Sequence, residues 1–206
     1  MFGASGGTGV HLLPLLLDAG FRVRAVVRNP SSIGAAHHRL EVVHGDALHP
    51  ATAARAIAGS DAVISLVGPR TFGPTRIYSE GGRNLVAGMI AAGVRRLVAV
   101  TALGTSKDFR MPPVLGFLAR NVVGWFLRHG WRDGARFEAE LRHADLDWTV
   151  LRPPALNHLP PRGRYRRGIG EHLRSPFRLS RADLARAVLD QLDDLTTFRR
   201  WVEVAW

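Results

Sequence analysis

The sequence contains no cysteine, has Lys107 as its one lysine, and offers no apolar run long enough to suggest a membrane span. The absence of cysteine excludes disulfide bonds, thiol catalysis and thiolate metal sites. No basic segment precedes the apolar stretch 11–17, so that stretch is not typical of a signal peptide. The nine histidines are scattered without a metal-binding spacing. These absences favour a cytoplasmic protein without a metal centre.

Arginine is abundant where lysine is scarce. All but one of the 28 basic residues are arginines, and the formal net charge is +11. Such a balance is typical of nucleic-acid-binding proteins. However, the arginines are dispersed apart from segment 162–167, and few aromatic residues accompany them as stacking platforms. We therefore rank nucleic-acid binding below the interpretation that arginine-rich composition alone explains the charge.

The most informative motif is a glycine-rich turn at the start of the chain. Glycine permits positive φ angles and a close approach of backbone N–H groups to a ligand. A helix that begins inside such a turn adds its unpaired amides and positive dipole end, which suits a pyrophosphate. A strand-like run at 21–28 follows at the spacing of a dinucleotide-binding β-α-β unit. The predicted phosphate-binding residues are Gly3, Ser5, Gly6, Gly7, Thr8 and Gly9.

Only Met1 and Phe2 precede this turn, whereas dinucleotide-binding folds have a full buried strand there. That strand normally lies in the middle of the sheet, so its truncation removes ladder partners on both sides. We expect that the natural chain starts several codons upstream or that this chain has lost those residues. A longer chain should then be more stable.

Short apolar runs alternate with segments of helical periodicity along most of the chain. Near-continuous apolar strands separated by helices predict a mostly parallel sheet covered on both faces. We expect one doubly wound α/β domain over residues 1–206, with strand order 3-2-1-4-5-6 and a truncated first strand. The predicted strands are 21–28, 40–44, 61–68, 96–101, 147–152 and 201–205, and the predicted helices are 7–19, 50–58, 75–92, 113–129, 131–143 and 181–192.

Two regions lie outside this alternation and are predicted to flank a substrate. They are residues 105–131 and the loop 153–178, which is rich in proline and arginine. After the loop, Ser180 and Asp183 have the spacing of a capping box that opens the last helix.

The end of the second strand indicates the cofactor. NAD-binding domains place a carboxylate there, whereas an arginine accommodates the 2′-phosphate of NADP. This chain has Arg28 followed by Ser31 and no carboxylate between them. The guanidinium of Arg28 and the hydroxyl of Ser31 are therefore predicted to bind the extra phosphate of NADP(H). The alternative is a solvated arginine at a strand end.

The next strand ends before Asp46 and Ala47. The Asp46 carboxylate is predicted to accept a hydrogen bond from the adenine amino group, with Ala47 and Leu48 against the ring. Capping of the following helix, by Asp46 or by a neighbour, is an equally supported role.

Ligands of such sheets bind beyond the carboxyl ends of the strands, where the strand order reverses. Val67 and Gly68 end the fourth strand, and the small Gly68 is predicted to let the nicotinamide half approach. Arg70 is predicted to close over the pyrophosphate, or else to be a surface arginine. Thr101 ends the fifth strand beside the expected nicotinamide, where its hydroxyl orients substrate or carboxamide; the alternative is a plain β-branched strand end.

Taken together, the motifs resemble the atypical short-chain dehydrogenase/reductase family. More closely, they resemble its NmrA-like branch, which includes biliverdin and flavin reductases, and the likeness extends over nearly the whole chain. The resemblance implies an NADP-binding Rossmann fold and reductase activity toward flavins, quinones or tetrapyrroles. The motifs are GASGGTG at 3–9, VRNP at 27–30, GD at 45–46, DAVI at 61–64, SEG at 79–81 with RN at 83–84, DWTVLRP at 147–153 and SRADL at 180–184.

The departures from the family narrow the chemistry. Classical members protonate a carbonyl with a tyrosine and a lysine four residues later, and neither Tyr78 nor Tyr165 has such a lysine. Ala102 stands where biliverdin and flavin reductases have a serine. Asp133 and Glu138 match acidic positions of the family; the alternative for them is helix polarity and dipole compensation.

Without that proton donor, ketone and alcohol chemistry is disfavoured. A small aromatic or conjugated acceptor takes the hydride itself, so the site mainly holds two rings together. We therefore predict an NADPH-dependent reductase of such an acceptor. The alternative is a non-catalytic NADP-binding redox sensor that reports to a partner protein.

Overall fold

The computed structural model describes residues 1–34, 36–105 and 124–206. The strands in these ranges are β1 (Val23–Val27), β2 (Leu40–His44), β3 (Ala62–Ser65), β4 (Arg96–Val100), β5 (Asp147–Arg152), β6 (Ala155–Asn157), β7 (Arg166–Ile169), β8 (Arg178–Ser180) and β9 (Arg200–Ala205). The α-helices are α1 (Gly9–Asp18), α2 (Pro50–Ile57), α3 (Ser79–Ala92), α4 (Gly124–Leu141) and α5 (Arg181–Asp190).

The sheet has the predicted order. Strand β1 pairs in parallel with β2, and β3, β4, β5 and β9 form a second parallel series with β7 antiparallel at its edge. Phe2 joins the two halves through parallel bridges to Val26 and Ser65. With Phe2 counted as the truncated first strand, the observed order is 3-2-1-4-5-6, extended by β9 and β7. The prediction of a doubly wound α/β fold is confirmed.

Both faces of the sheet are covered, because successive strand residues point to opposite sides. In β4, Leu97 and Ala99 belong to one apolar cluster and Val98 to another. The first cluster packs beneath α2, α3 and α4, and includes Leu85 and Phe137. The second packs beneath α1 and α5. Each central strand is therefore buried on both sides, which explains its near-continuous apolar sequence.

The truncated strand makes the ladder bonds of a parallel strand for two residues. The Phe2 N–H donates to the Ile64 carbonyl at 2.8 Å, and the Met1 carbonyl accepts from the Val26 N–H at 2.9 Å. Phe2 itself is buried in the core. The chain therefore enters the middle of the sheet in the expected place, although only these two residues are there to pair.

A cleft lies between β1 and β3 on the amino side of Met1. Its volume is 1140 Å³, and its lining includes Val23 and Arg24 of β1, Ala62 of β3 and Asp61 just before β3. The Met1 amine donates to the Arg24 carbonyl at 2.8 Å, as the amide of a continuing strand would. Desolvation, followed by the charge of Arg24, lowers the pKa of this amine from 8.0 to about 5.

Two sequence predictions need correction. The expected break between helices 113–129 and 131–143 is wrong, because α4 runs without interruption through Gly130; residues 113–123 lie outside the described residues. A glycine inside a helix costs about 1 kcal/mol and does not by itself end it. The loop 153–178 contains β6, β7 and the start of β8, none of which was predicted. Arg166 and Arg167 are exposed in β7, so this edge strand lacks an apolar signature.

Candidate active site

The glycine-rich turn folds tightly at the carboxyl edge of the parallel sheet. Gly3 has φ +85°, and an ideal β-carbon on it would lie 2.9 Å from the Leu66 carbonyl carbon, just beyond β3. A β-carbon on Gly9 would lie 2.2 Å from the Gly3 carbonyl oxygen. These contacts require glycine at both positions and bring the backbone of the turn against the strand ends.

Helix α1 begins inside this turn, at Gly9, with Thr8 as its N-cap residue. The Thr8 side chain makes no capping bond, and the first turn of α1 contains no acidic residue. The positive end of the helix dipole is therefore not compensated by a local carboxylate. A turn with glycine at four of its seven positions, next to the positive end of α1, fits a pyrophosphate.

The predicted 2′-phosphate residues follow β1 on the surface. Arg28 and Ser31 are both exposed. The Ser31 hydroxyl donates to Asn29 Oδ1 at 2.8 Å, and the same oxygen accepts the Ser31 amide at 3.2 Å. Asn29 therefore fixes the turn that carries both side chains. Among the ion pairs of the described residues, none involves Arg28, so its guanidinium is available to an anion.

Asp46 and Ala47 lie beyond β2. Asp46 Oδ1 accepts the Leu48 amide at 3.0 Å, which makes a local turn, and α2 begins later with His49 as its N-cap residue. Asp46 is therefore not the cap of α2. Ala47 is buried, and its carbonyl accepts a hydrogen bond from the Asn84 side chain at 2.9 Å. This contact joins the loop after β2 to α3.

Gly68 lies beyond β3 against a tyrosine that the sequence interpretation did not place in the site. A β-carbon on Gly68 would lie 3.1 Å from the Tyr78 hydroxyl oxygen. A β-carbon on Gly134 would lie 3.7 Å from the same ring and 3.8 Å from Thr101 Cβ, so the Tyr78 side chain lies close to both Gly68 and Gly134. Burial, with the charges of Asp133 and Glu138, raises the pKa of Tyr78 far above its usual value. The hydroxyl is therefore protonated at neutral pH.

The two other residues predicted beyond β3 differ in exposure. Val67 is half-buried and packs against the first apolar cluster, whereas Arg70 is exposed. Arg70 makes none of the ion pairs found among the described residues. Its side chain is therefore in solvent, and the predicted closure over the pyrophosphate stays a prediction.

Thr101 is buried at the end of β4, and its hydroxyl points inward. Its Oγ1 donates to Glu138 at 2.7 Å, and Thr105 Oγ1 donates to the same oxygen at 2.9 Å. Arg152 at the end of β5 holds this carboxylate through Nε, 3.1 Å from each oxygen, and through a further bond from Nη2. The Arg152 guanidinium also lies 4.4 Å from the centre of the Trp201 ring. The hydroxyl proton of Thr101 is therefore engaged within the protein.

Asp133 has a structural role of its own. Its carboxylate accepts the Tyr78 amide at 2.8 Å and the Ser79 hydroxyl, so a residue of α4 caps the start of α3. Asp133 and Glu138 are both buried and bonded. These two carboxylates therefore bind specific partners and do not serve only to make a helix face polar. The sequence spacing alone did not reveal those partners.

The structure bears on two other site classes. In residues 1–34, 36–105 and 124–206, no helix is long and apolar enough to cross a membrane. The same residues contain no group of three or more metal-ligating side chains placed to hold an ion.

Comparison with known proteins gives a consistent result. A family model described as NAD(P)H-binding matches residues 3–195. The pea protein TIC 62, described as chloroplastic, is 28% identical over 175 residues, which cover 73% of this chain but only 31% of that protein. A short-chain dehydrogenase/reductase from Veillonella parvula in complex with NADP superposes with a TM-score of 0.77 at 21% identity, covering 100% of this chain and 92% of that one.

An anaerobilin reductase from Escherichia coli O157:H7 has the same fold. It superposes with a TM-score of 0.76 at 24% identity, covering 99% of this chain and 94% of that one. These two superpositions show the fold, while the family match shows the class of ligand.

Proposed function

Because the chain belongs to the NAD(P)H-binding family, we propose that it is an NADPH-dependent reductase that delivers hydride to a planar conjugated acceptor, such as a flavin, a quinone or a tetrapyrrole. The coenzyme, when bound, supplies two electrons and one proton as hydride to the acceptor. The second proton of the reduced acceptor comes from water. The chain's own residues then bind and orient the two rings.

One observation carries the proposal: the hydroxyls at the expected nicotinamide end are poor proton donors. The Thr101 hydroxyl donates to the buried, arginine-paired Glu138. Tyr78 has a pKa raised far above neutrality by burial, whereas an efficient general acid needs a pKa near the working pH. An acceptor that needs no proton from the protein is therefore the best match to this site.

The proposal assigns coenzyme-binding roles to the residues at the carboxyl edge of the sheet. The turn 3–9 binds the pyrophosphate with its backbone amides, and Arg28 with Ser31 binds the 2′-phosphate. We assign Asp46 and Ala47 to the adenine side of the coenzyme. Val67, Gly68 and Thr101 are assigned to its nicotinamide side. We further propose a cytoplasmic location for this chain. Its relative TIC 62, by contrast, is described as chloroplastic.

The same observation also favours a second function, a redox sensor that binds the dinucleotide without turnover. Anaerobic mixing of the protein with NADPH and a panel of free flavins, quinones and linear tetrapyrroles separates the two. The reductase predicts loss of the NADPH absorbance with at least one acceptor. Tight binding of NADPH with no oxidation across the panel contradicts the reductase and supports the sensor.

A further inference from the structure

Arg181, the first residue of α5, lies against the glycine-rich turn. An ideal β-carbon on Gly7 would lie 2.6 Å from Arg181 Nε and 2.7 Å from its Cδ. Gly7 is not among the glycines with positive φ, so its backbone conformation does not demand glycine. The missing side chain at position 7 instead makes room for the arginine, which the sequence patterns did not indicate.

No carboxylate of the described residues forms an ion pair with this guanidinium. The nearest acidic residue on α5, Asp183, accepts the backbone amides of Arg162 and Gly163 and the indole N–H of Trp206. The Ser180 hydroxyl caps the helix by accepting the Asp183 amide at 3.0 Å and bonds the same carboxylate. Asp183 is thus occupied by other donors.

The position of Arg181 is unfavourable unless an anion is present. The amino end of α1 carries a partial positive charge, and a cation beside it is repelled. The guanidinium and the helix end therefore both contribute positive potential at Gly7. An arginine held there without a protein carboxylate is the arrangement expected of an anion site, because the planar guanidinium can bond two phosphate oxygens at once.

We propose that Arg181 binds the pyrophosphate of the dinucleotide together with the turn 3–9, so that α5 contributes to the cofactor site. This inference rests on the proposed coenzyme binding. Arg28 follows β1 on the adenosine side, whereas Gly7 belongs to the turn that faces the phosphates. The pyrophosphate is therefore the anionic group assigned to Arg181, and the 2′-phosphate remains with Arg28.

The test compares two ligands on the same variants. Adenosine 2′-monophosphate carries the 2′-phosphate but lacks the pyrophosphate, whereas NADPH has both. The Arg181→Gln substitution should lower the affinity for NADPH by about 10-fold or more, as expected for loss of a charge-assisted hydrogen bond. It should leave the affinity for adenosine 2′-monophosphate unchanged. Arg186→Gln is the matched control, because Arg186 is an exposed arginine of the same helix that pairs with Asp190. It should bind both ligands as the unmodified chain does.

A second variant tests the contact itself. Gly7→Ala places a methyl group where the Arg181 stem lies, so it should weaken NADPH binding by displacing the guanidinium. In the double variant Gly7→Ala with Arg181→Gln, the fold-loss of NADPH affinity should then be smaller than the product of the fold-losses of the two single variants. Thermal unfolding of each variant checks that the fold is retained.

Two outcomes overturn the inference while leaving the proposed function intact: Arg181→Gln binds NADPH as well as the unmodified chain, or it loses both ligands equally. If the unmodified chain binds no NADPH, the proposed function itself fails.

Discussion

At the scale of single residues, the site depends on a buried ion pair. Glu138 and Arg152 have side-chain exposures of 6% and 4%, and the carboxylate also accepts hydrogen bonds from two threonines. Removing one member of such a pair leaves an uncompensated buried charge. The pair therefore determines where the ends of β4 and β5 lie relative to α4.

This gives a prediction for stability. Glu138→Met should lower the free energy of unfolding by ~3–5 kcal/mol, because Arg152 is left unpaired. The double variant Glu138→Met with Arg152→Met should recover much of that loss. Urea denaturation of the three variants measures both effects. A double variant no more stable than Glu138→Met alone contradicts this account of the pair.

The Met1 amine gives a prediction for pH dependence. Its pKa falls from 8.0 to about 5 on folding, mainly through desolvation. Between these pH values the unfolded chain binds a proton that the folded chain does not. Stability contributed by this group therefore rises with pH from about 5 to 8.

Acetylation of the Met1 amine removes that titration. The acetylated chain should be more stable than the unmodified chain at pH 5, by at most ~4 kcal/mol, and the difference should disappear above pH 8. Equilibrium unfolding of both forms across this range measures it. A difference that does not change with pH would show that the amine is not desolvated.

At the scale of secondary-structure elements, the cleft between β1 and β3 is the main irregularity of the fold. The Met1 amine already makes the first bond that a continuing parallel strand would make. Successive residues of a β-strand direct their N–H and C=O groups to alternate edges of the strand. The edges of β1 and β3 that face the cleft therefore present N–H and C=O groups toward it. An extended segment joined to Met1 can pair with both edges at once.

Adding four apolar residues ahead of Met1, such as Val-Ile-Val-Val, should therefore raise Tm by at least about 5 °C, since each added ladder bond contributes ~1 kcal/mol. A matched extension with prolines at alternate positions lacks the N–H groups at those positions, so it should raise Tm much less. Equal Tm values for the two extensions would mean that the cleft does not accept a strand.

Sequence patterns predicted the central elements well because burial determines them. The buried strand β5 begins and ends at the predicted residues, since its apolar run coincides with pairing. Strand β2 also has the predicted ends, although none of its residues is fully buried. Edge strand β7 was missed because its exposed arginines carry no apolar signal. The single helix α4 was divided in the prediction because Gly130 suggested a break that the backbone does not make.

The candidate site was predictable only where it depends on local sequence. The turn 3–9 has a local signature, and its tight backbone contacts agree with it. Arg181 and Glu138 reach the site from helices far away in the chain, and such contacts leave no local pattern. The inward bond of the Thr101 hydroxyl could not be predicted for the same reason.

At the scale of the whole molecule, the excess of arginine gives the chain a strongly positive charge. The net charge of +11 favours anionic ligands in general, so charge alone does not distinguish NADPH from other polyanions. The proposal of NADPH rests instead on the combination of a glycine-rich turn, a helix end without an acidic residue in its first turn, and an arginine at the strand end. Of these, Arg28 is the residue proposed to select the 2′-phosphate.

The most direct measurement is an equilibrium titration of the purified chain and of Arg28→Gln with NADPH and with NADH. The account predicts saturable NADPH binding that Arg28→Gln weakens about 10-fold or more, and NADH binding that the same substitution leaves unchanged. Absence of saturable binding of either coenzyme would contradict it.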